Sequence, residues 1–258
     1  MSLTGKTKAN TYKDLLEIDN SNTGIDATTR VIKSGEGTSS SLSISTTKVL
    51  VKPSADSTTT VDFQDTDGNS KFVFDSTNDL VKALGHNVNT QYAYFGHGET
   101  GSALFAANTH YAIPFGTTIG TGGYFTIGTG TNPDTSYTIS NTGAAVATCL
   151  WHIIDNITID SVSVWNGSDA ASGDTLRFHL MSYDIDSSNG TTSGDLSNGT
   201  VLADGADITS AGYEQSYYQS MTIQSANVNA GKVVLFLFRQ DGTNGDYASN
   251  VTVKYHLR

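Results

Sequence analysis

The sequence predicts an all-β protein: a small N-terminal strand-and-hairpin anchor region, then a C-terminal antiparallel jelly-roll β-sandwich. Three observations predict it. Apolar and polar residues alternate in short runs, among them Val61-Asp-Phe-Gln64, Lys71-Phe-Val-Phe-Asp75 and Thr175-Leu-Arg-Phe-His-Leu180, and a period of two belongs to strands. Ser and Thr together number 65 of 258 residues and Gly 26, the composition of many short strands joined by turns. Nothing alternates a strand with a long helix, which argues against a parallel α/β fold.

Residues 1–40 read as a short helix and an extended anchor. Residues 8–18 carry the best helix signal: Asn10 or Thr11 caps, Asp14 sits in the first turn, and Tyr12, Leu15, Leu16 and Ile18 share a side. So short a helix does not stand alone, and its apolar side is expected on a neighbouring subunit or a docking surface. Residues 20–40 are rich in turn formers.

Residues 41–85 form beaded strands and hairpins, with Asp67-Gly68 at a turn. Their apolar rows are thin: Leu42/Ile44, Val49/Val51, Val61/Phe63 and Phe72/Phe74. Small strand units with so little to bury are marginal in water. The expectation is therefore self-association, as a homotrimer, through these rows. Gly85-His86-Asn87 is expected to open a connector.

Residues 86–258 form the sandwich. Strands are expected at 91–95, 103–107, 111–115, 123–127, 136–140, 145–154, 157–165, 176–183, 215–223, 233–239 and 250–257, at the turn spacing of a sandwich. Leu176, Phe178 and Leu180 are expected inward, Arg177 and His179 outward. Val233-Val-Leu-Phe-Leu-Phe238 is apolar on both faces, as in a central or interfacial strand. The stretches 165–174 and 184–200 are expected as apical loops.

Charge and cysteine content narrow the function classes. Charged residues are 15%, against roughly 25% in ordinary globular domains. The net charge of −11 is uneven: residues 1–85 hold 9 basic and 11 acidic groups, residues 86–258 hold 5 and 14. An acidic C-terminal part repels nucleic acid and anionic membrane, so neither is an expected partner. One cysteine, Cys149, allows no intrachain disulfide and fits assembly in a reducing cytosol. Met1 to Asn20 lacks the apolar core of a signal peptide, and the run 233–238 is too short to span a bilayer.

The opening Met1-Ser-Leu-Thr-Gly-Lys-Thr-Lys-Ala-Asn-Thr-Tyr-Lys-Asp-Leu-Leu16, the run Ile18-Asp-Asn-Ser-Asn-Thr-Gly-Ile-Asp26 and Gly35-Glu-Gly-Thr-Ser-Ser-Ser-Leu-Ser-Ile-Ser45 resemble the N-terminal region of virion appendage proteins of tailed bacteriophages, marine ones especially. The cassette Asp65–Asp75 with Thr77–Lys82 is similar to beaded β-repeats of phage tail-fibre and head-decoration proteins. The resemblance covers the first third of the chain; the remainder resembles, more loosely, the jelly-roll heads of such fibres. It implies a virion structural protein made in the bacterial host, a capsid decoration protein or head fibre, with phage capsid or tail proteins as partners. The alternative it leaves open is a tail-fibre or receptor-binding protein that recognises host-surface glycans.

No catalytic fingerprint stands out, and the expectation is a non-enzymatic protein without cofactor or metal. None of the six histidines makes a His-x-x-x-His pair. Gly96-His-Gly-Glu99 reads better as a tight loop than as an acid–base pair. Asp184-Ile-Asp-Ser-Ser-Asn-Gly190 lacks the glycine and glutamate positions of an EF-hand and reads as a loop with Asx turns. The candidate glycan contact is Trp165-Asn-Gly-Ser-Asp169, an aromatic residue beside a polar loop, with Trp165, Asn166 and Asp169 as its contacts. Tyr92, Tyr94, Tyr111, Tyr124, Tyr137, Tyr213, Tyr217 and Tyr218 stack on sugars if exposed, but more of them are expected to serve the core or the trimer contact.

Overall fold

The computed structural model describes residues 14–21, 23–101, 105–116, 124–242 and 245–258. The chain divides into two compact units, Met1–Val88 and Asn89–Arg258. Among the described residues all strand pairing between elements is antiparallel and one short helix is present.

The first unit contains two four-stranded sheets, each running in sequence order. One is built of β1 (Leu16–Ile18), β2 (Arg30–Ser34), β3 (Ser39–Ile44) and β4 (Val49–Val51). The other is built of β5 (Val61–Gln64), β6 (Ser70–Asp75), β7 (Leu80–Ala83) and β8 (His86–Asn87). The expected helix over 8–18 is corrected at its C-terminal end: Leu16–Ile18 is a strand, while residues 8–13, with Tyr12, lie outside the described residues. So short a helix has little to hold it, whereas β1 gains a ladder with β2, Leu16 facing Ser34 and Ile18 facing Ile32. Residues 30–34 and 39–40 likewise belong to strands rather than to an extended tether. Gly85-His86-Asn87 is not a connector. Leu84 and Gly85, at φ +51° and +82°, make the left-handed pair of a two-residue hairpin turn, and His86–Asn87 pairs back onto β7.

The second unit is a two-sheet sandwich. Its strands are β9 (Thr90–Gly101), β10 (Tyr111–Ile113), β11 (Phe125–Thr126), β12 (Trp151–His152), β13 (Ile157–Ser168), β14 (Thr175–Ile185), β15 (Leu196–Asp204), β16 (Ile208–Thr209), β17 (Gln215–Ser220), β18 (Thr222–Ile223), β19 (Asn227–Val228), β20 (Lys232–Gln240) and β21 (Asp246–Leu257). The sheet orders are β11-β10-β20-β14-β15-β18 and β17-β13-β21-β9. Leu176, Phe178, Leu180, Val234, Phe236 and Phe238 of the first sheet meet Val162, Val164, Val251 and Val253 of the second in one core. Chain crossings tie the sheets at both sides: Gly96 and Gly116 exchange backbone hydrogen bonds with Pro114 and Tyr94, and Met221, between β17 and β18, donates its amide to Val162.

β20 is central, as its sequence predicts: Val233 to Phe238 are all fully buried. The first sheet therefore needs a cover on its other face. The segment 124–150 supplies it, with Phe125, Ile127, Val146, Cys149 and the β15 residue Leu196 packed on Met181, Leu235 and Leu237. This cover overturns the outward placement of His179, which is fully buried. It also contains the largest misreading of the sequence. Residues 145–154 do not form one strand; Gly143–Cys149 is a helix, α1, followed by β12. Its Ala-rich composition favours a helix, and Val146 and Cys149, one turn apart, place their side chains on the same buried side. Residues 136–140 contribute a single bridge, Tyr137 to Leu196, and 105–107 no strand. The second expected apical loop shortens to 186–195, because β15 begins at Leu196.

Candidate functional site

Two surfaces gather the residues singled out by the sequence. The first is the apolar side of each small sheet in the N-terminal unit. Strand register sets Leu42 opposite Val51 and Ile44 opposite Val49, and Phe63 opposite Phe72 with Val61 opposite Phe74. The rows read from the sequence thus lie side by side on one face per sheet, because residues two apart share a face and register aligns the strands. Among the described residues of the unit these faces stay open to solvent. Leu15, Leu16, Leu42, Val49, Val51, Phe63, Phe72 and Phe74 are exposed, Phe63 to 61%; Ile18 and Ile44 are half-buried. The rings of Phe63 and Phe72 touch at 6.0 Å between centroids, and among the described residues of this unit no further layer covers them. Polar contacts hold the opposite side of the second sheet: Asp75 accepts from Asn78 Nδ2 at 2.9 Å and Lys82 Nζ at 3.0 Å.

The second surface is the outer face of the β17-β13-β21-β9 sheet. Cross-strand register builds it row by row. Tyr218, Trp165, Asn250 and Gly96 form one row; Ser220, Ser163, Thr252 and Tyr94 the next. Trp165 and Tyr218 pack together at 5.1 Å between centroids, and Trp165 is still 55% exposed. Tyr92 and Tyr94 on β9 are exposed too. Between the aromatic residues runs an open groove of about 880 Å³ lined by Tyr94, Gly96, Gly98, Trp165, Gly167, Ser216, Asn250 and Thr252, among others. A smaller depression adjoins it at Gly167 and Ala248 and carries the carboxylates of Asp169, Glu214 and Asp246.

The three expected glycan contacts part company here. Trp165 lies within β13 rather than at its end, and faces the groove. Asn166 is corrected: the alternation of the strand turns it inward, fully buried, where its Oδ1 accepts from Ser249 Oγ at 2.8 Å. Asp169 borders the adjoining depression and accepts from the Asp246 amide. Sequence reasoning missed Asn250 and Thr252. The strand period was legible, but which strands flank β13 was not, and register alone brings these residues to Trp165.

The remaining candidates occupy structural roles. His97 belongs to strand β9, not to a loop, and is buried edge-on against Phe105 and Tyr124 at 5.6 and 5.7 Å. Burial pulls its pKa down to about 4. Its Nδ1 meets the Gly98 carbonyl at 3.0 Å, while Nε2 has no hydrogen-bond partner among the described residues. Asp186 accepts from the Ser188 amide at 2.8 Å and from Thr192 Oγ1 at 2.5 Å, an Asx turn as expected. Asp184 accepts from Lys232 Nζ at 2.6 Å and from Asn198 Nδ2 at 2.7 Å. Among the described residues no group of three His, Cys, Asp or Glu side chains is arranged to hold a metal ion. No described helix is long and apolar enough to cross a membrane.

No protein-family model matches the chain, and no curated protein matches it.

Proposed function

We propose that the protein is a non-enzymatic structural component of a tailed-phage particle, a homotrimeric capsid decoration protein or head fibre. The first unit is its anchor. One observation carries this reading: two small sheets each present an aligned apolar face that the described residues of the unit leave uncovered. Exposed apolar area of this kind is stabilised by a partner, and copies of the same chain are the nearest partner. Two further features support it. The sheet orders β17-β13-β21-β9 and β10-β20-β14-β15 are compatible with a jelly roll. The residues nearest to an acid–base pair or a cation loop, His97, Asp184 and Asp186, are engaged in packing and hydrogen bonds.

The test is the mass of the full chain by light scattering. Three times the chain's 27.3 kDa is expected; a monomer at micromolar concentration overturns the trimer. A second reading, a receptor-binding protein for host-surface glycans, is favoured by the exposed Trp165–Tyr218 pair.

A further inference from the structure

The groove on the outer face of the β17-β13-β21-β9 sheet combines three properties that packing alone does not require. First, aromatic rings stand exposed on both its sides: Trp165 with Tyr218 on one, Tyr94 on the other. They are separated by β21, so the walls lie about 10 Å apart, two strand spacings. Second, the floor at Gly167 is bare without need. Gly167 is the last residue but one of β13, paired with Ser216 and Ala248 on its two sides; its φ is not in the left-handed region, and an added Cβ would meet only the Ala248 methyl at 3.9 Å. Gly96 differs, since its Cβ would crowd the Ser249 carbonyl at 2.9 Å. A glycine inside a strand weakens it, and one with room for a side chain marks a close approach from outside. Third, no Asp, Glu, Lys or Arg lines the groove among the described residues, although acidic groups crowd the adjoining depression.

These properties select a ligand chemistry. Exposed ring faces accept the C–H face of a sugar, and the side chains of Asn250 and Thr252 offer donors and acceptors to hydroxyls. A groove of about 880 Å³ is within the range of ligand sites, roughly 300–1,000 Å³. A lining without ionised groups, next to Asp169, Glu214 and Asp246, disfavours acidic sugars. We propose that this face binds a neutral glycan, stacked on Trp165 and Tyr218, with one end over Gly167 and the other reaching Tyr94 past Asn250 and Gly96. The proposal rests on the receptor-binding reading and is independent of the trimer.

The test uses the full chain on an array of neutral and anionic oligosaccharides. Binding to neutral members is expected, with anionic ones left behind. Trp165→Ala is expected to weaken binding about tenfold or more, and Tyr94→Ala several-fold. Gly167→Val is the decisive variant. It fills the floor and suits a strand better, so the melting temperature holds or rises while binding is lost. Titration of the selected glycan is expected to change the tryptophan fluorescence, a signal from Trp165 because Trp151 is largely buried. No binding, binding of anionic glycans alone, or binding unchanged in Trp165→Ala and Gly167→Val overturns the proposal. So does a fall in the mass of Trp165→Ala, which assigns the face to a subunit contact. A trimer that binds no glycan sinks this proposal and leaves the assembly reading standing; a monomer that binds one does the reverse.

Discussion

His97 and His179 show how burial at single residues sets the response to pH. Burial holds both near 4, although Asp204, 3.3 Å from His179, pulls the other way. That pull is limited because Asp204 is already gripped by Arg177, at 2.7 Å through Nη2 and 3.2 Å through Nε. His110, edge-on to His179 at 5.1 Å, is lowered by burial as well. An unfolded histidine titrates near 6.5, so between pH 6.5 and 4 the unfolded chain holds more protons than the folded one. Stability is therefore full above pH 6.5 and declines as pH falls toward 4, by roughly 3 kcal/mol for His97. The carboxylates act lower: Asp65, held at about 2 chiefly by Lys71, contributes above pH 4 and loses its contribution only as pH drops through 2. Calorimetry of His97→Phe is expected to show an unchanged or higher melting temperature at pH 7 and a shallower decline to pH 4.5. Cys149 illustrates the opposite sign. Burial pushes its thiol up to about 12, so iodoacetamide at pH 8 is expected to spare the native protein and label it only in guanidinium.

At the scale of elements, β20 carries the sandwich because it has two buried faces. Phe236 points into the core between the sheets, Leu235 into the core under α1 and the 124–150 segment. Leu235→Ala is expected to cost about 2–5 kcal/mol and Phe236→Ala about 3–5 kcal/mol. Both losses are expected in one cooperative denaturant transition of the sandwich, since the two cores share this strand. If Leu235→Ala left the midpoint unmoved, the cover over the second face would contribute nothing to stability. The small sheets of the first unit lack any such strand: apart from Val73 and Asp75, their strand residues are half-buried or exposed.

For the whole molecule, the open faces of the first unit connect fold to proposed assembly. Phe63 and Phe72 are exposed in the single chain, so replacing them by Ser removes little from its own packing. Phe63→Ser/Phe72→Ser is expected to keep the circular dichroism of the parent and to lower its mass in light scattering from a trimer toward 27.3 kDa. A double variant that remains trimeric would place the contact elsewhere.

The sequence by itself determined the all-β class, the thin rows of the first unit and the two-faced β20, because alternation and turn chemistry are local and Val233–Phe238 leaves no polar side to expose. It mistook Gly143–Cys149 for a strand, since a short apolar run has no period long enough to separate a strand from two helical turns. Only the tertiary structure decided which side of Trp165 and Asn166 meets solvent, that His179 lies under a second layer, and that Asn250 and Thr252 stand beside Trp165. The physical reason is common to all three. Burial and neighbourhood in a sandwich are set by which distant strands pair and in what register, and that choice is made by the summed packing of both sheets rather than by any one segment.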